Sequence, residues 1–293
     1  MELLRRYEIA GTVAIITGNG GLPKVQITTD RSTAEIYLHG AHVAGFQKLG
    51  EPPLLWMSAA SQFAAGKPIR GGVPICFPWF GPREGRPAHG FARIADWELV
   101  ETKALADGKV SVRLRLPETA GGADAFPGKV EFLLTVGETL TMELSVANAS
   151  SETVAFENCL HTYLTIGDIG EFSITGLKGV EYLDKVDGGK LKLEKADAIH
   201  IGSEVDRVYL NTTGPAEIRD TKLRRTIRVE KSGSYSTVVW NPWVAKSKAM
   251  PDFGDEEFRG MVCVESGNVA RERIKLASGE SSALRVVLSS RPM

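Results

Sequence analysis

The chain has 293 residues, of which 43% are hydrophobic and 24% are charged, and its formal net charge at pH 7 is −1. This is the composition of a globular protein large enough to bury a core without disulfide or metal support. The near-neutral charge argues against a nucleic-acid partner, which requires a basic stripe. It does not exclude a small anionic ligand, since a pocket can be locally basic on a neutral protein.

The first six residues, Met1 to Arg6, lack the apolar core of a signal peptide. No apolar stretch in the sequence is long enough to cross a membrane. The three cysteines, an odd number at wide spacing, predict no disulfide framework and favour a reducing compartment. We therefore expect a cytoplasmic protein with no membrane partner.

Alternation of apolar and polar residues, the period of a β-strand, recurs along the chain. It predicts strands at residues 25–28, 35–39, 110–116, 130–136, 140–146, 153–156, 172–175, 227–230, 236–240, 261–265 and 284–288. Runs 130–136 and 140–146 flank a short turn and predict an antiparallel hairpin. Because long helical patterns and a strand–helix–strand rhythm are missing, we expect one all-β domain over residues 1–293, a sandwich or barrel.

Two segments carry no strand period. Residues 118–128 are predicted to form a surface loop. Residues 55–87 are rich in glycine, proline and aromatic residues, and a long irregular stretch inside a compact domain is often functional. Its aromatic content argues against disorder.

The densest set of candidate binding residues lies at residues 69–93. Arg70 and Arg93 offer forked donors for phosphate or sugar hydroxyls, and the pair Gly71-Gly72 lets backbone approach a ligand. The same pattern is equally compatible with a structural loop whose arginines bond to backbone carbonyls.

Three further residues are candidates from their chemistry. His161 could carry a proton near neutral pH, and strand parity places it on one face with Cys159 and Tyr163. Glu265 ends a strand whose valines occupy the opposite face, so it points away from their core. Asp206 could accept hydrogen bonds from sugar hydroxyls. Taken singly, each is more typical of a structural or solvated residue.

Metal and cofactor signatures are weak. The His-x-x-His spacing of His39 and His42 does not supply the three or four converging ligands that zinc needs. Phosphate-binding glycine loops and nucleophile elbows are missing from the sequence. We expect no metal and no organic cofactor.

Seven motifs, in order, resemble the aldose 1-epimerase (galactose mutarotase-like) superfamily, and specifically its D-hexose-6-phosphate 1-epimerase branch. They are Arg70-Gly71-Gly72-Val73-Pro74, Phe77-Pro78-Trp79-Phe80-Gly81, His89-Gly90-Phe91-Ala92-Arg93, Leu160-His161-Thr162-Tyr163, Asp206-Arg207-Val208-Tyr209, Trp240-Asn241-Pro242-Trp243 and Val262-Cys263-Val264-Glu265. The resemblance covers roughly residues 20 to 290. It implies a large antiparallel β-supersandwich and an isomerase that interconverts the anomers of a hexose 6-phosphate.

The resemblance also implies roles for single residues. His161 would be the general acid and Glu265 the general base. Arg70, His89 and Asp206 would hold the sugar, and Arg93 would help to hold the phosphate. Some family members use a glutamine directly before the His-Gly pair for binding, and that position is Ala88 here, so the substrate preference stays open.

Three alternatives remain at this point. A neutral aldose 1-epimerase would use the same acid and base on free galactose or glucose. A non-catalytic sugar-binding protein could share the fold, although it would need no proton-transfer pair. A β-sandwich glycosidase would need two carboxylates, for which Asp206 and Glu265 are the candidates. In each case the expected partner is a small sugar or sugar phosphate, and the protein would be a monomer or a weak homo-oligomer.

Overall fold

The structure is a computed structural model and describes all residues 1–293. Its strands are β1 Val13–Thr17, β2 Pro23–Thr28, β3 Ser32–Tyr37, β4 His42–Lys48, β5 Ile75–Cys76, β6 Glu98–Ala104, β7 Val110–Arg115, β8 Gly128–Val136, β9 Leu140–Asn148, β10 Val154–Phe156, β11 Asn158–Leu160, β12 Tyr163–Thr165, β13 Phe172–Thr175, β14 Glu181–Asp184, β15 Lys190–Leu193, β16 Val205–Tyr209, β17 Ala216–Asp220, β18 Arg225–Ser232, β19 Ser236–Asn241, β20 Met261–Asn268, β21 Ile274–Leu276 and β22 Ser281–Pro292. One α-helix, α1, spans Trp243–Ala249. Short 3-10 helices occur at Glu2–Tyr7, Asn19–Gly21, Ala92–Ile94, Gly122–Asp124, Glu257–Gly260 and Ala270–Glu272.

Two eight-stranded sheets dominate the molecule. We call the first the site sheet; its order is β15-β14-β16-β19-β20-β11-β5, and β12 also pairs with β20. We call the second the backing sheet; its order is β13-β17-β18-β22-β9-β8-β7-β6. A four-stranded sheet β1-β2-β3-β4 and the pair β10-β21 complete the fold, and every strand pairing is antiparallel.

One apolar core of 57 buried residues joins these sheets. The site sheet contributes Val239, Val262 and Val264, and the backing sheet contributes alternate residues such as Leu114 and Val286. Because successive side chains on a strand point to opposite faces, each sheet buries one face in this core. The other face of the site sheet is thereby left to build a polar site.

The all-β prediction is confirmed, and each of the predicted strands coincides with an observed one. The predicted hairpin is β8–β9, with Val136 opposite Leu140. The facing predicted for Glu265 is confirmed: Val262 and Val264 enter the main core, while Cys263 belongs to a separate cluster on the opposite face. Its predicted place at the end of the strand is wrong, because β20 continues through Gly267 to Asn268. Residues 118–128 form turns around a short 3-10 helix, and the only strand within residues 55–87 is β5.

The glycine pair at Gly71 and Gly72 serves chain packing, where the sequence analysis expected close approach to a ligand. A Cβ on Gly72 would lie 2.2 Å from the carbonyl oxygen of Val43 and 2.7 Å from the Nε2 of His42, and φ is +57° there. A Cβ on Gly71 would lie 2.5 Å from the carbonyl oxygen of Trp56. These glycines let the irregular segment lie flat against neighbouring strands.

No helix in the protein has both the length and the apolar character that spanning a bilayer demands.

Candidate active site

A cleft of about 390 Å³ opens on the polar face of the site sheet. Five of the six predicted site residues line it, namely Arg70, His89, His161, Asp206 and Glu265. Other surface clefts have similar volumes, so volume alone does not single this one out. The convergence of two histidines, two carboxylates and an arginine singles out this cleft, because ligand sites combine a concave shape with a few converging polar groups.

Strand order explains how residues distant in the chain meet in this cleft. Neighbouring strands β16, β19 and β20 carry Asp206, Trp240 and Glu265, with Asp206 opposite Trp240 and Val238 opposite Glu265. His161 lies at the bend between β11 and β12, the two short strands that both pair with β20. All these side chains therefore project from one face of one sheet.

His161 and Glu265 form the centre of the site. The Nε2 of His161 lies 3.3 Å from the Oε1 of Glu265, and their exposed fractions are 7% and 1%. Burial lowers the pKa of His161 well below its ordinary value, and the neighbouring charges of His89 and Arg93 act in the same direction. Burial raises the pKa of Glu265 well above its ordinary value, and Asp206 adds to that shift.

Both shifts favour a pair without net charge, a neutral imidazole beside a protonated carboxyl group. Moving that one proton from Glu265 to His161 gives an imidazolium and a carboxylate, with the number of bound protons unchanged. The buried pair thus holds one transferable proton, and its two tautomers supply an acid and a base. This is the requirement of general acid–base chemistry.

Aromatic rings fix the orientation of His161. Tyr163 stacks on it with ring centroids 4.8 Å apart and an interplanar angle of 12°. Trp240 meets the same imidazole edge-on at 6.0 Å. The parity prediction that placed Tyr163 beside His161 is confirmed, although a bend rather than a continuous strand joins them.

Arg70 is held in place by a carboxylate from outside the predicted motifs. Its Nε and Nη2 atoms donate to both carboxylate oxygens of Asp252 at 3.1–3.2 Å, and its Nη1 donates to the hydroxyl of Tyr163 at 3.0 Å. A forked pair of this kind fixes the guanidinium plane. The sequence carried no signal for Asp252, which lies in a loop between α1 and β20.

His89 faces the cleft as a neutral donor. Its Nδ1 accepts the backbone N–H of Gly81 at 3.3 Å, which leaves the Nε2 to carry the proton. Burial, together with Arg93, lowers the pKa of His89 to about 3. A neutral Nε2–H group suits a hydroxyl acceptor on a sugar.

Arg93 does not line the cleft. Its Nη2 donates to the carbonyl oxygen of Ala88 at 2.7 Å, and its Nε is buried without a hydrogen-bond partner. The cation is nevertheless close enough to lower the pKa of both His89 and His161. It therefore contributes positive potential at both histidines without lining the cleft.

Two lysines that the sequence analysis did not single out do line the cleft, Lys185 and Lys246. The Nζ of Lys246 is paired with Glu204 at 2.9 Å. Lys185 is exposed and makes no ion pair, and its backbone N–H donates to the carbonyl oxygen of Asp206 at 2.8 Å. Lys185 thus lines the cleft as an exposed cation without a carboxylate partner, and its backbone is hydrogen-bonded to that of Asp206.

Asp206 offers an unoccupied acceptor. Its carboxylate makes no hydrogen bond within the protein, and burial raises its pKa. An acceptor held in a cleft without a partner is suited to ligand hydroxyl groups.

The donor atoms of His161, Cys263 and Glu265 all lie within 4.8 Å of one another and could hold a metal ion. Two of these three residues, His161 and Glu265, are the buried pair that shares one proton.

Comparison with known proteins identifies the family of the chain. The sequence profile of the aldose 1-epimerase family matches residues 23–289. A protein of Cenchrus ciliaris, provisionally named glucose-6-phosphate 1-epimerase, is 36% identical in an alignment of 286 positions that covers 93% of this chain and 86% of that protein. A protein of Escherichia coli K12 with the same provisional name is 37% identical over 237 residues, 80% of this chain and 79% of its own length.

The fold has a solved counterpart. A Salmonella typhimurium protein, provisionally described as a mutarotase, superposes with a TM-score of 0.90 at 30% identity, covering 98% of this chain and 96% of that one. The galactose mutarotase-like supersandwich that the motifs implied is thus confirmed. The chain belongs to the aldose 1-epimerase family.

Proposed function

We propose that this protein is a glucose-6-phosphate 1-epimerase, an isomerase that interconverts the α and β anomers of hexose 6-phosphates. The observation that carries the proposal is the buried, net-neutral pair of His161 and Glu265 at the floor of a polar cleft. Relatives named for this activity match 80–93% of the chain.

Mutarotation needs a base at the C1 hydroxyl and an acid at the ring oxygen O5. Glu265 takes the C1 hydroxyl proton while His161 protonates O5, and the C1–O5 bond breaks to give the open-chain aldehyde. Rotation about C1–C2 presents the other carbonyl face, and the same steps run in reverse. The pair ends with the proton it began with, so the enzyme is restored without any other reactant.

Three side chains are proposed to hold the sugar. The Nε2–H of His89 donates to a ring hydroxyl, and the free carboxylate of Asp206 accepts from others. The forked edge of Arg70 is taken up by Asp252, so Arg70 offers the sugar the Nη1 N–H that Tyr163 does not use. Trp240 offers an apolar wall to the C–H face of the ring.

The phosphate is proposed to lie towards Lys185. This lysine is the cation at the cleft that has no carboxylate partner, whereas Lys246 is already paired with Glu204. Arg93, the phosphate ligand implied by the motif resemblance, does not line the cleft and acts through its charge. Together these groups favour a dianionic substrate over a neutral sugar.

The proposed setting is the cytoplasm, which fits three free, buried cysteines. Each proposed site residue comes from the same chain, so a monomer or a weak homo-oligomer suffices. The partner is a small sugar phosphate.

NMR exchange spectroscopy at the anomeric proton tests the proposal, with glucose 6-phosphate, free glucose and free galactose compared at equal enzyme concentration. We expect catalysed exchange of glucose 6-phosphate at a kcat/KM well above that of the free sugars. Preferred exchange of a free sugar would favour the neutral aldose 1-epimerase. Binding without exchange would favour a sugar-binding protein.

A further inference from the structure

The Glu265 carboxylate has one side-chain contact on each oxygen. Oε1 faces the Nε2 of His161 at 3.3 Å, and Oε2 accepts the thiol of Cys159 at 3.4 Å. We propose that Cys159 is a positioning residue whose S–H group holds Glu265 with Oε1 directed at His161 and the substrate. The proposal rests on the proposed function of the pair.

Local packing explains why this thiol reaches the carboxylate. Cys159 on β11 lies opposite Gly267 on β20, two residues beyond Glu265 on the same strand. A Cβ on Gly267 would lie 2.9 Å from the Sγ of Cys159. Because Gly267 has no side chain, the sulfur occupies that space and lies diagonally across the two strands from Glu265.

The thiol is fixed as a donor. Cys159 is fully buried, and burial raises its pKa well above the ordinary value, as does the adjacent carboxylate of Glu265. The sulfur therefore keeps its proton at and above the pH at which an ordinary thiol ionises. A protonated thiol stabilises the charged form of the carboxylate that accepts its hydrogen bond.

The other two cysteines do not share this arrangement. Cys76 contacts the Nδ1 of His89 at 3.5 Å rather than the carboxylate. Cys263 is fully buried on the strand of Glu265, two residues earlier, and makes no side-chain hydrogen bond. Cys263 is thus a matched control: an equally buried thiol beside the same carboxylate, without the contact.

The consequence for catalysis follows from the two tautomers of the pair. Donation by Cys159 favours the imidazolium–carboxylate form, in which Glu265 acts as base. Without the thiol the carboxylate form is less populated, so the chemical step slows while sugar binding is retained. Without the thiol, the pH at which the pair loses its shared proton also rises, because the pKa of Glu265 rises further.

The test compares Cys159→Ala, Cys159→Ser and Cys263→Ala by anomeric exchange of glucose 6-phosphate across pH. We expect Cys159→Ala to lower kcat about tenfold and to leave KM within about twofold of the wild-type value. In the pH profile of kcat, the fall at alkaline pH should shift to higher pH. Cys159→Ser, which keeps a donor, should recover most of kcat. The kcat of Cys263→Ala should stay within about twofold of the wild-type value, and this variant measures how much the loss of packing alone can change kcat.

Equal losses for Cys159→Ala and Cys263→Ala, or a change confined to KM, would overturn the proposal. A second measurement does not depend on those variants folding: the infrared S–H stretching bands of the wild type and of Glu265→Gln. The band of Cys159 should shift when its acceptor changes, and identical spectra would overturn the assignment. If Glu265→Gln kept wild-type exchange, the proposed function of the pair would fail instead.

Discussion

The Nε2 of His161 and the Oε1 of Glu265 lie 3.3 Å apart at the bottom of a cleft, and burial acts on the two groups in opposite directions. Burial lowers the pKa of His161 and raises the pKa of Glu265, so both changes stabilise the same net-neutral pair. The pair therefore gains a proton well below the ordinary pKa of histidine and loses its shared proton well above the ordinary pKa of glutamate.

The first prediction is a broad pH plateau. The pair takes up a second proton only when His161 becomes charged. Because the pKa of His161 is lowered, the fall of kcat on the acid side of the pH profile lies at low pH. Removing the shared proton requires ionising Glu265, whose raised pKa moves the alkaline limb to high pH. We expect kcat for glucose 6-phosphate to be flat through neutrality, as measured by anomeric exchange in buffers of constant ionic strength.

A bell-shaped profile centred near the ordinary histidine pKa would contradict this prediction. It would mean that solvent reaches His161 and that burial does not govern the pair.

The second prediction concerns phosphate recognition. Lys185→Ala should raise KM for glucose 6-phosphate about fivefold at low ionic strength and less as salt is added, because an exposed charge is screened. Turnover of free glucose should be unaffected. Lys195→Ala, an exposed lysine outside the cleft, is the control.

Arg93→Ala should have a smaller effect on KM than Lys185→Ala, since Arg93 does not line the cleft and its Nη2 already donates to the carbonyl oxygen of Ala88. If Arg93→Ala gave the larger rise in KM for the phosphorylated sugar while sparing free glucose, the direct phosphate contact would belong to Arg93.

The third prediction tests the support of Arg70. Asp252→Asn removes the charged partner of the forked pair, which frees the guanidinium to rotate. We expect KM to rise about tenfold, consistent with the loss of one charge-assisted hydrogen bond, although Asp252 does not line the cleft. Asp255→Asn, an exposed carboxylate in the same loop, should leave KM unchanged.

Steady-state kinetics on glucose 6-phosphate with both variants checks this. An unaltered KM in Asp252→Asn would show that Arg70 needs no carboxylate to hold its orientation.

The fourth prediction is structural. Gly72→Ala should destabilise the fold by about 2–4 kcal/mol, because a Cβ there meets backbone at 2.2 Å and the residue adopts a positive φ. Gly66→Ala is the matched control, with φ +71° and no atom within 4 Å of its Cβ position. Urea unfolding of both variants separates the clash from the strain of positive φ.

If both variants lost the same stability, the close approach of Gly72 to β4 would contribute nothing.

Periodicity predicted much of the fold for a definite reason. Burying one face of a strand enforces alternation, so the hairpin β8–β9 and the parity of Glu265 could be derived from residue order alone. Strand β5, at Ile75–Cys76, was missed because two residues carry no period.

The candidate site was predictable only in part. His161 and Glu265 were ambiguous as single residues, and the motif resemblance brought them together. The contacts of Arg70 with Asp252 and of Cys159 with Glu265 join residues far apart in the chain. They depend on strand register and loop path, for which a single sequence gives no signal.

The most direct test of the account is anomeric exchange of glucose 6-phosphate by wild type, His161→Ala and Glu265→Gln, each shown to be folded by its unfolding transition. We predict that either substitution lowers kcat by about 10²–10⁴-fold, with a much smaller change in KM. Near-wild-type exchange by either folded variant would contradict the assignment of His161 and Glu265 as the proton-transfer pair.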